Sequence, residues 1–428
     1  MGSFILESRG MPVSGEVFIS GAKNAALPIM AAAVMCESAG LENCPRLSDT
    51  ETAAEIIRAF GLECEIYKNT AKIKQGKKSG FAISPELCGK MRSSILFAAP
   101  AAQNFGKVVL CAPGGCRLGE RPIDMHLEVL KKMGAEIFVS DKKIEIEARH
   151  GFSGADIKLK FPSVGATETA VMAGAAAKGR THIHSPALEP EIEDLCAFLN
   201  SAGADISFGE VIEIKGCGGM LGHAEHRIMP DRIETGTYLT AAAITGGELF
   251  IRDTAPDKLE YVIKLLEDMG CIIKCGADSI YIDAPKNTIN PKEIFTAPYP
   301  LFPTDMQPQF TALAAVSHGD CKIHENIFEG RYRHIPQLCA MGADIEKYGE
   351  REFIVHGLGH GLKSAAVEAS DLRCGAALIL AAISAKSGSS IIKNGEYVLR
   401  GYEDICTKLA DIGIKAEYTE QPFGKTPV

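Results

Sequence analysis

The sequence predicts an α/β protein built from six similar modules in two domains. Six times, a helical stretch ends in an apolar residue and a glycine, and a short half-buried strand pattern follows. The glycines are Gly61, Gly134, Gly203, Gly270, Gly342 and Gly413. They recur roughly every 70 residues, a period that suits a small α/β module better than a solenoid repeat. A chain of 428 residues is too long to fold around one ordinary hydrophobic core. We therefore expect two domains with three modules in each.

Each module also begins alike, with a helix rich in small residues. The predicted helices span residues 24–35, 92–102, 167–177, 235–245, 307–316 and 371–385. Alanine and glycine allow close helix packing, so these helices are predicted to be buried. The second helix of each module carries more charge and is predicted to lie outside.

The polar, proline-containing stretch 227–232 separates the third module from the fourth. A strand predicted at residues 3–9 precedes the first module and can pair with the C-terminal half. The predicted domains are therefore 22–229, and 1–21 together with 230–428. With these ranges the chain passes between the two domains twice, which predicts a hinge. A cleft between hinged domains is a usual place for a substrate.

Composition narrows the class of protein. Hydrophobic content of 46% and charged content of 23% indicate a folded globular chain. A net charge of −9, no tryptophan and no long basic run argue against nucleic acid or anionic membranes as partners. No secretory signal is visible, and apolar runs such as 25–36 are too short to span a bilayer. Fourteen cysteines without a CxxC pair predict reduced thiols and a cytoplasmic location.

One glycine-rich stretch, residues 113–126, lies between a predicted strand at 108–110 and a predicted helix at 127–133. It contains three glycines, two prolines, Cys116, Arg117 and Arg121. Arginines offer forked donors to phosphate or carboxylate, and a thiol on a positive loop can react as its thiolate. The alternative is a surface loop with an ordinary cysteine.

Six motifs in order support the reactive-loop hypothesis. They are residues 20–28, the Cys116 loop, 230–237, 303–309, 369–373 and 400–403. Together they resemble the UDP-N-acetylglucosamine 1-carboxyvinyltransferases, a family of enolpyruvyl transferases, over nearly the whole chain. The resemblance implies a two-domain inside-out α/β barrel, each domain with three βαβαββ repeats.

The activity that the resemblance implies is transfer of the enolpyruvyl group of phosphoenolpyruvate to the 3′-hydroxyl of UDP-N-acetylglucosamine. Addition is followed by elimination, and phosphate is released in the first committed step of peptidoglycan synthesis. Such a site needs an acid over C3, a base near the sugar hydroxyl, and cations around the phosphate and carboxylate. No cofactor is expected, and the chain is expected to act as a monomer.

The resemblance also assigns the catalytic roles. Cys116 is the acid, can form a covalent adduct with phosphoenolpyruvate, and would be alkylated by the epoxide fosfomycin. Asp305 is the candidate base, although an aspartate just before a helix is commonly an N-cap. Lys23, Arg121 and Arg400 are expected to hold phosphoenolpyruvate. A surface lysine beside a helix start is the alternative for Lys23.

Further residues are implied in substrate binding. The residues expected to contact the nucleotide sugar, or to supply charges around it, are Asn24, Arg92, Arg121, Pro122, Asp124, Met125, Ser163, Val164, Gly165, Ile327, Arg331, Asp371 and Arg373. Ser163 can instead cap the helix that follows it, and Ile327 can be a core isoleucine. Arginines scattered along a sequence are ordinarily solvated surface charges. They form a site only if the fold brings their side chains together in one cleft.

Several positions depart from the family pattern or mimic other sites. Arg117 and Glu120 replace small residues in the Cys116 loop, and Leu399 precedes Arg400 where the family usually has an acidic residue. Residues 357–362 resemble a dinucleotide fingerprint, but the third glycine is not at the place that the fingerprint requires, so no nicotinamide or flavin is predicted. The histidine pairs 182/184 and 223/226 lack further ligands, so no metal is predicted.

Two rival functions are a sister enzyme acting on shikimate 3-phosphate and a catalytically silent nucleotide-sugar binding protein. The sister enzyme lacks the Cys116 loop and the Gly-Ala-Lys-Asn start. The presence of Cys116, Asp305, Lys23 and Arg400 together argues against a silent protein.

Overall fold

The computed structural model describes residues 2–111, 123–140, 142–284, 290 and 292–420. The chain forms two compact units, an N-terminal unit, Gly21–Met229, and a C-terminal unit, Met1–Ser20 with Pro230–Val428. Each unit has its own hydrophobic core. The chain opens with two strands of the C-terminal unit, β1 (Ser3–Ser8) and β2 (Ser14–Phe18).

The N-terminal unit alternates strands and helices along the chain. Its elements are α1 (Lys23–Ala32), β3 (Cys36–Glu42), α2 (Ser48–Ala59), β4 (Glu63–Tyr67), β5 (Thr70–Lys74), α3 (Pro85–Lys90), α4 (Ala98–Phe105), β6 (Lys107–Cys111), α5 (Asp124–Lys132), β7 (Glu136–Val139), β8 (Lys143–Glu147), β9 (Asp156–Lys158), α6 (Val164–Ala176), β10 (Lys178–His184), α7 (Pro190–Ser201), β11 (Asp205–Ser207), β12 (Val211–Cys217) and β13 (Leu221–Arg227).

Within the described residues these strands form three sheets, ordered β13-β3-β5-β4, β6-β8-β7 and β11-β12-β10-β9. In each sheet the strand after the small-residue helix pairs antiparallel with the final strand of its module. It also pairs in parallel with the opening segment, which is β13, β9 or a bridge at Ala82. The first module therefore takes its opening strand from the end of the unit.

The C-terminal unit repeats this pattern after the chain returns. Its further elements are α8 (Arg232–Thr245), β14 (Glu248–Arg252), α9 (Glu260–Asp268), β15 (Ile272–Cys275), β16 (Ser279–Asp283), β17 (Ile294–Phe295), α10 (Gln307–Val316), β18 (His318–His324), α11 (His334–Ala340), β19 (Asp344–Lys347), β20 (Glu352–Leu358), β21 (Ala366–Glu368), α12 (Leu372–Ser384), β22 (Gly388–Lys393), α13 (Ile405–Asp411) and β23 (Lys415–Thr419).

Its sheets, again among the described residues, are ordered β15-β16-β14-β2, β17-β18-β20-β19 and β21-β22-β1-β23. β1 pairs antiparallel with both β22 and β23, and thus supplies the last strand of the last module. The predicted pairing of the N-terminal strand with the C-terminal half is confirmed. β2 opens the fourth module by pairing in parallel with β14.

The small-residue helices are buried on nearly all sides, as predicted. Every residue of α8 except Thr245 is buried, and α6 is buried from Ala166 to Ala176. α8, α10 and α12 contact one another, and each also packs against a sheet whose strands bury alternate residues. Alanine, glycine and threonine permit this because their short side chains let helix backbones approach closely.

The second module departs from the predicted helix at 92–102. Residues Arg92–Phe97 form a 3₁₀ helix, and α4 begins only at Ala98. Pro100 explains the change, because proline has no N–H to donate to the carbonyl four residues earlier. In the first turn of α4 that N–H would be unpaired anyway.

Six equivalent glycines end the outer helices, as the sequence predicts. All have positive φ, between +86° and +111°. In each case the next residue donates its N–H back to the carbonyl five positions earlier, at 2.8–3.4 Å. This is the Schellman arrangement, which satisfies carbonyls left unpaired at a helix end. The glycine turns the chain into the following strand of the module.

Replacing Gly203 by alanine tests why this helix end requires glycine. The reason is either its positive φ or a lack of room for a side chain. A Cβ at Gly203 would meet nothing within 4 Å, so the cost comes from its φ of +97° alone. We expect a loss of about 1–2 kcal/mol in the free energy of unfolding, measured by urea denaturation. Gly89→Ala is the matched control, since Gly89 lies in α3 with equally open space but no positive φ. There alanine should stabilise the protein slightly, and equal losses at both positions would contradict the explanation.

Candidate active site

The starts of the central helices in the C-terminal unit carry aspartates. Asp231 caps α8, because its Oδ1 accepts hydrogen bonds from the N–H groups of Ile233 and Glu234 at 2.8 and 3.0 Å. Asp371 caps α12 in the same way, accepting from the N–H groups of Arg373 and Cys374 at 2.9 and 3.1 Å. Each of these two aspartates therefore caps its helix through one carboxylate oxygen.

Asp305 precedes α10 but is not used as a cap. It lies in a 3₁₀ turn, Thr304–Met306, and binds two arginines instead. Its Oδ1 is 2.7 Å from Arg331 Nη1, and its Oδ2 is 2.8 Å from Arg373 Nη2. The arginine side chains are only 8% and 7% exposed, whereas that of Asp305 is 24% exposed. The structure therefore brings together three of the predicted site residues.

The electrostatics of this cluster keep Asp305 ionised. Burial alone would raise the pKa of the Asp305 carboxyl, but Arg373 and Arg331 outweigh it and hold that pKa well below its usual value. Burial would lower the pKa of Arg373, and the opposing charge of Asp305 raises it overall. Two cations share one anion, so the cluster retains a net positive charge that favours anionic ligands.

Glu325, which sequence reasoning missed, organises the loop around Arg331. It is fully buried, and its Oε1 accepts from the Thr296 and Thr304 hydroxyls and from the N–H groups of Ile327 and Phe328, each at 3.0 Å. The Thr304 hydroxyl in turn accepts from Arg331 Nη1 at 3.0 Å. An acidic residue at the end of a strand pattern is ordinarily exposed, so the sequence carries no signal for this role.

Ile327 is half-buried rather than a core residue, with its N–H bound to Glu325. The Arg331 guanidinium lies 4.7 Å from the centroid of the Phe328 ring, which is within the range of a cation–π contact. Arg400 ends the 3₁₀ helix Gly395–Arg400 and is half-buried.

In the N-terminal unit, Lys23 is the first residue of α1. Its Nζ lies 3.7 Å from the carboxylate of Asp49 on α2, whose side chain is 4% exposed. Asn24 follows and is half-buried. The 3₁₀ helix that begins at Arg92 packs against α1. Lys23 is therefore an anchored residue rather than a solvated surface lysine.

The start of α5 meets the start of α6 in the same unit. Asp124 and Met125 open α5, and the adjacent His126 has its Nδ1 2.8 Å from the Thr169 hydroxyl on α6. A Cβ at Gly165 would lie 2.8 Å from His126 Cε1, so only glycine permits this approach. Two stretches predicted to contact the nucleotide therefore lie side by side.

Ser163 caps α6, since its hydroxyl accepts from the Ala166 N–H at 3.4 Å. The capping interpretation of Ser163 is confirmed, and Val164 and Gly165 form the first turn of the helix. Cys116, Arg121 and Pro122 lie outside the described residues, as do Arg117 and Glu120.

Within residues 2–111, 123–140, 142–284, 290 and 292–420, no group of three or more histidine, cysteine or acidic side chains could hold a metal ion. Nor does any helix in this part of the chain have the length and apolar character required to cross a membrane.

The model of the EPSP synthase family, the 3-phosphoshikimate 1-carboxyvinyltransferases, matches residues 8–409. A UDP-N-acetylglucosamine 1-carboxyvinyltransferase of Aeromonas salmonicida is 42% identical over 416 residues, covering 96% of this chain and 98% of the relative. One from Thermotoga maritima is 42% identical over 427 residues, covering 98% and 100%. The chain belongs to the family of UDP-N-acetylglucosamine 1-carboxyvinyltransferases.

Solved structures agree with the family. The enolpyruvyl transferase NikO from Streptomyces tendae superposes with a TM-score of 0.88 at 25% identity, covering 98% of this chain and all of that one. EPSP synthase from Acinetobacter baumannii superposes with a TM-score of 0.74 at 18% identity, covering 98% of this chain and all of that one. At this level of identity the likeness shows the fold alone. The predicted two-domain inside-out α/β fold is confirmed.

Glu325 offers a test of how the family's loop around Arg331 is held. We expect Glu325→Ala to cost about 3 kcal/mol or more, since it leaves several buried donors unpaired. Glu325→Gln should recover most of that loss, because the amide oxygen can take the place of Oε1, which accepts most of the bonds. Urea denaturation of both variants measures this, and equal losses would show that the charge rather than the acceptor geometry matters.

His334 predicts a pH dependence of stability. It begins α11, is 1% exposed, and has its Nε2 3.3 Å from the Thr311 hydroxyl. Burial lowers its pKa to about 3, helped by Arg331 and opposed by Asp371. Near pH 5 the unfolded chain therefore binds a proton at this residue that the folded chain does not.

Stability should consequently fall as the pH drops from about 6.5, by up to about 1.4 kcal/mol per pH unit from this residue. The slope of unfolding free energy against pH should be shallower in His334→Gln. His150→Gln, at an exposed histidine, controls for removing an imidazole from the chain. Identical slopes in wild type and His334→Gln would contradict the assignment.

Proposed function

We propose that this protein transfers the enolpyruvyl group of phosphoenolpyruvate to the 3′-hydroxyl of UDP-N-acetylglucosamine and releases phosphate. The reaction is the first committed step of peptidoglycan synthesis. The observation that carries the mechanism is the buried cluster of Asp305, Arg331 and Arg373, which holds an ionised carboxylate among cations. The relatives from Aeromonas salmonicida and Thermotoga maritima match this chain over almost their whole length. Their name, UDP-N-acetylglucosamine 1-carboxyvinyltransferase, supports the proposed nucleotide-sugar substrate.

Asp305 is the proposed base for the sugar hydroxyl. Between two guanidinium groups it is ionised but weakly basic. An anionic substrate group that binds Arg331 or Arg373 competes with Asp305 for the guanidinium. That competition would raise the pKa of Asp305, so the base would strengthen when such an anionic group is bound.

Cys116 is the proposed acid that protonates C3 as the sugar oxygen attacks C2, and the site of fosfomycin alkylation. Lys23, Arg121 and Arg400 are proposed to bind phosphoenolpyruvate. Lys23 suits this role because it stands at the start of α1, where the positive end of the helix dipole also favours an anion. Asp49 beside it holds the ammonium in place.

The remaining residues are proposed to bind the nucleotide sugar and its charges. They are Asn24, Arg92, Pro122, Asp124, Met125, Ser163, Val164, Gly165, Ile327 and Asp371. The contact between the starts of α5 and α6 supports a shared role for Asp124, Met125 and residues 163–165. Glu325 supports Ile327 and Arg331 by holding their loop.

We further propose a monomeric, cytoplasmic enzyme. No disulfide joins the cysteines in the part of the chain that the structure describes, which agrees with a reducing compartment. The sister activity on shikimate 3-phosphate is the second candidate, because the match to the EPSP synthase family shows a common fold. Lys23 in its Gly-Ala-Lys-Asn motif and the Cys116 loop favour the nucleotide sugar.

Phosphate release tests the proposal directly. Purified protein mixed with phosphoenolpyruvate and UDP-N-acetylglucosamine should release phosphate, and Cys116→Ala should reduce the release to background. Asp305→Asn should lower kcat by about 10²- to 10⁴-fold, the usual range for a lost general base. Asp320→Asn, at an exposed carboxylate paired with His356, is the matched control and should leave the rate unchanged. Release with shikimate 3-phosphate instead would favour the sister activity.

A further inference from the structure

Two thiols lie against each other in the second module of the N-terminal unit. Cys88 is on α3 and Cys111 ends β6, and both are half-buried. The Cys111 N–H donates to Cys88 Sγ at 3.4 Å, and the Cys88 thiol donates to the Ile83 carbonyl at 3.8 Å. Their contact is a feature that the proposed transferase reaction does not use.

The backbone brings these thiols together. Residues 81–83 run parallel to β6, with Val109 donating its N–H to the Phe81 carbonyl and accepting from the Ile83 N–H, at 2.8 and 2.9 Å. Ser84 then caps α3, since its hydroxyl accepts from the Leu87 N–H at 3.3 Å. The cap places Cys88 in the first turns of a helix that packs on β6. The pair is thus held by strand pairing and a helix cap, not by chance contact of two flexible side chains.

We propose that Cys88 and Cys111 are an oxidant-sensitive pair that hydrogen peroxide converts into an intramolecular disulfide. Reagents can reach the pair, because neither Cys88 nor Cys111 is fully buried. Because Cys88 Sγ accepts a hydrogen bond from the Cys111 backbone, the Cys111 thiol is a neighbour that can react before a sulfenic acid is oxidised further. The inference does not depend on the proposed transferase activity.

Hydrogen peroxide oxidises the pair in two steps. The Cys88 sulfur attacks one peroxide oxygen, the O–O bond breaks, and water leaves, so that Cys88 becomes a sulfenic acid. The Cys111 sulfur then attacks the Cys88 sulfur, an S–S bond forms, the S–O bond breaks, and a second water leaves. The two thiols lose two electrons and two protons, and the peroxide is reduced to two waters. Burial and the neighbouring Cys88 raise the pKa of the Cys111 thiol, which disfavours Cys111 as the first nucleophile.

The position of the pair in the sequence determines which segments a disulfide would join. Cys111 stands five residues before Cys116 in the sequence. A disulfide would fix the end of β6 covalently to α3, at the point where the chain leads towards Cys116. Reduction by a thiol would reverse the change.

Peptide mapping tests the proposal in a chain carrying Cys116→Ala. This background is needed because trypsin leaves Cys111 and Cys116 on one peptide, residues 108–117, whereas Cys88 falls on residues 79–90. After hydrogen peroxide treatment and blocking of free thiols, we expect a linked peptide lighter by two hydrogens than the sum of its parts. It should vanish on addition of dithiothreitol.

Matched variants make the test specific. Cys88→Ser and Cys111→Ser should each abolish the linked peptide, while Cys406→Ser, at another half-buried thiol, should leave it intact. Thermal unfolding of the untreated variants checks that each is folded. The proposal is overturned if folded protein yields no 88–111 link under peroxide, or if Cys111 pairs with another cysteine instead.

Discussion

The close packing of small-residue helices is the constraint on which each unit depends. In the C-terminal unit, α8, α10 and α12 contact one another and are buried almost throughout. Large side chains on these helices would hold the backbones apart. The packing brings the starts of α10 and α12 close enough for Arg373 to reach Asp305. The charged cluster is therefore a product of apolar packing some distance along the same helices.

Three aspartates at equivalent places show how a repeated module diverges into a site. Asp231 and Asp371 cap their helices through two backbone N–H groups each. Asp305 does not, because the chain before α10 forms a 3₁₀ turn and Pro308 in the first turn of that helix has no N–H to offer. Freed from capping, the Asp305 carboxylate binds two arginines. One departure from the repeat thus supplies the proposed base.

A buried ion cluster of this kind is not an efficient source of stability. Removing charges from water costs several kcal/mol per ion, which the mutual attraction does little more than offset. Arg331 and Arg373 are nevertheless almost fully buried, and Glu325, which holds the loop before Arg331, has no exposed surface at all. Such an arrangement suits a site that presents cations to an anionic substrate, because Asp305 and Thr304 already hold the guanidinium groups in position before it binds.

Much of the molecule follows from the sequence alone. The glycine caps were predictable because a left-handed helix end admits few other residues, and all six have positive φ. The central helices were predictable from runs of small residues, although Pro100 shortened one of them. The motifs around Lys23, Asp305, Arg373 and Arg400 identified the family through their order along the chain.

Tertiary structure decided which of those residues touch, because contact depends on neighbours distant in sequence. Arg331 and Arg373 share Asp305, Asp49 anchors Lys23, and His126 reaches α6 only because Gly165 has no side chain. Glu325 is invisible in the sequence for the same reason, since its partners Thr296 and Thr304 lie on other segments. Local sequence fixes caps and periodicity, whereas the burial and pairing of a charge are properties of the folded chain.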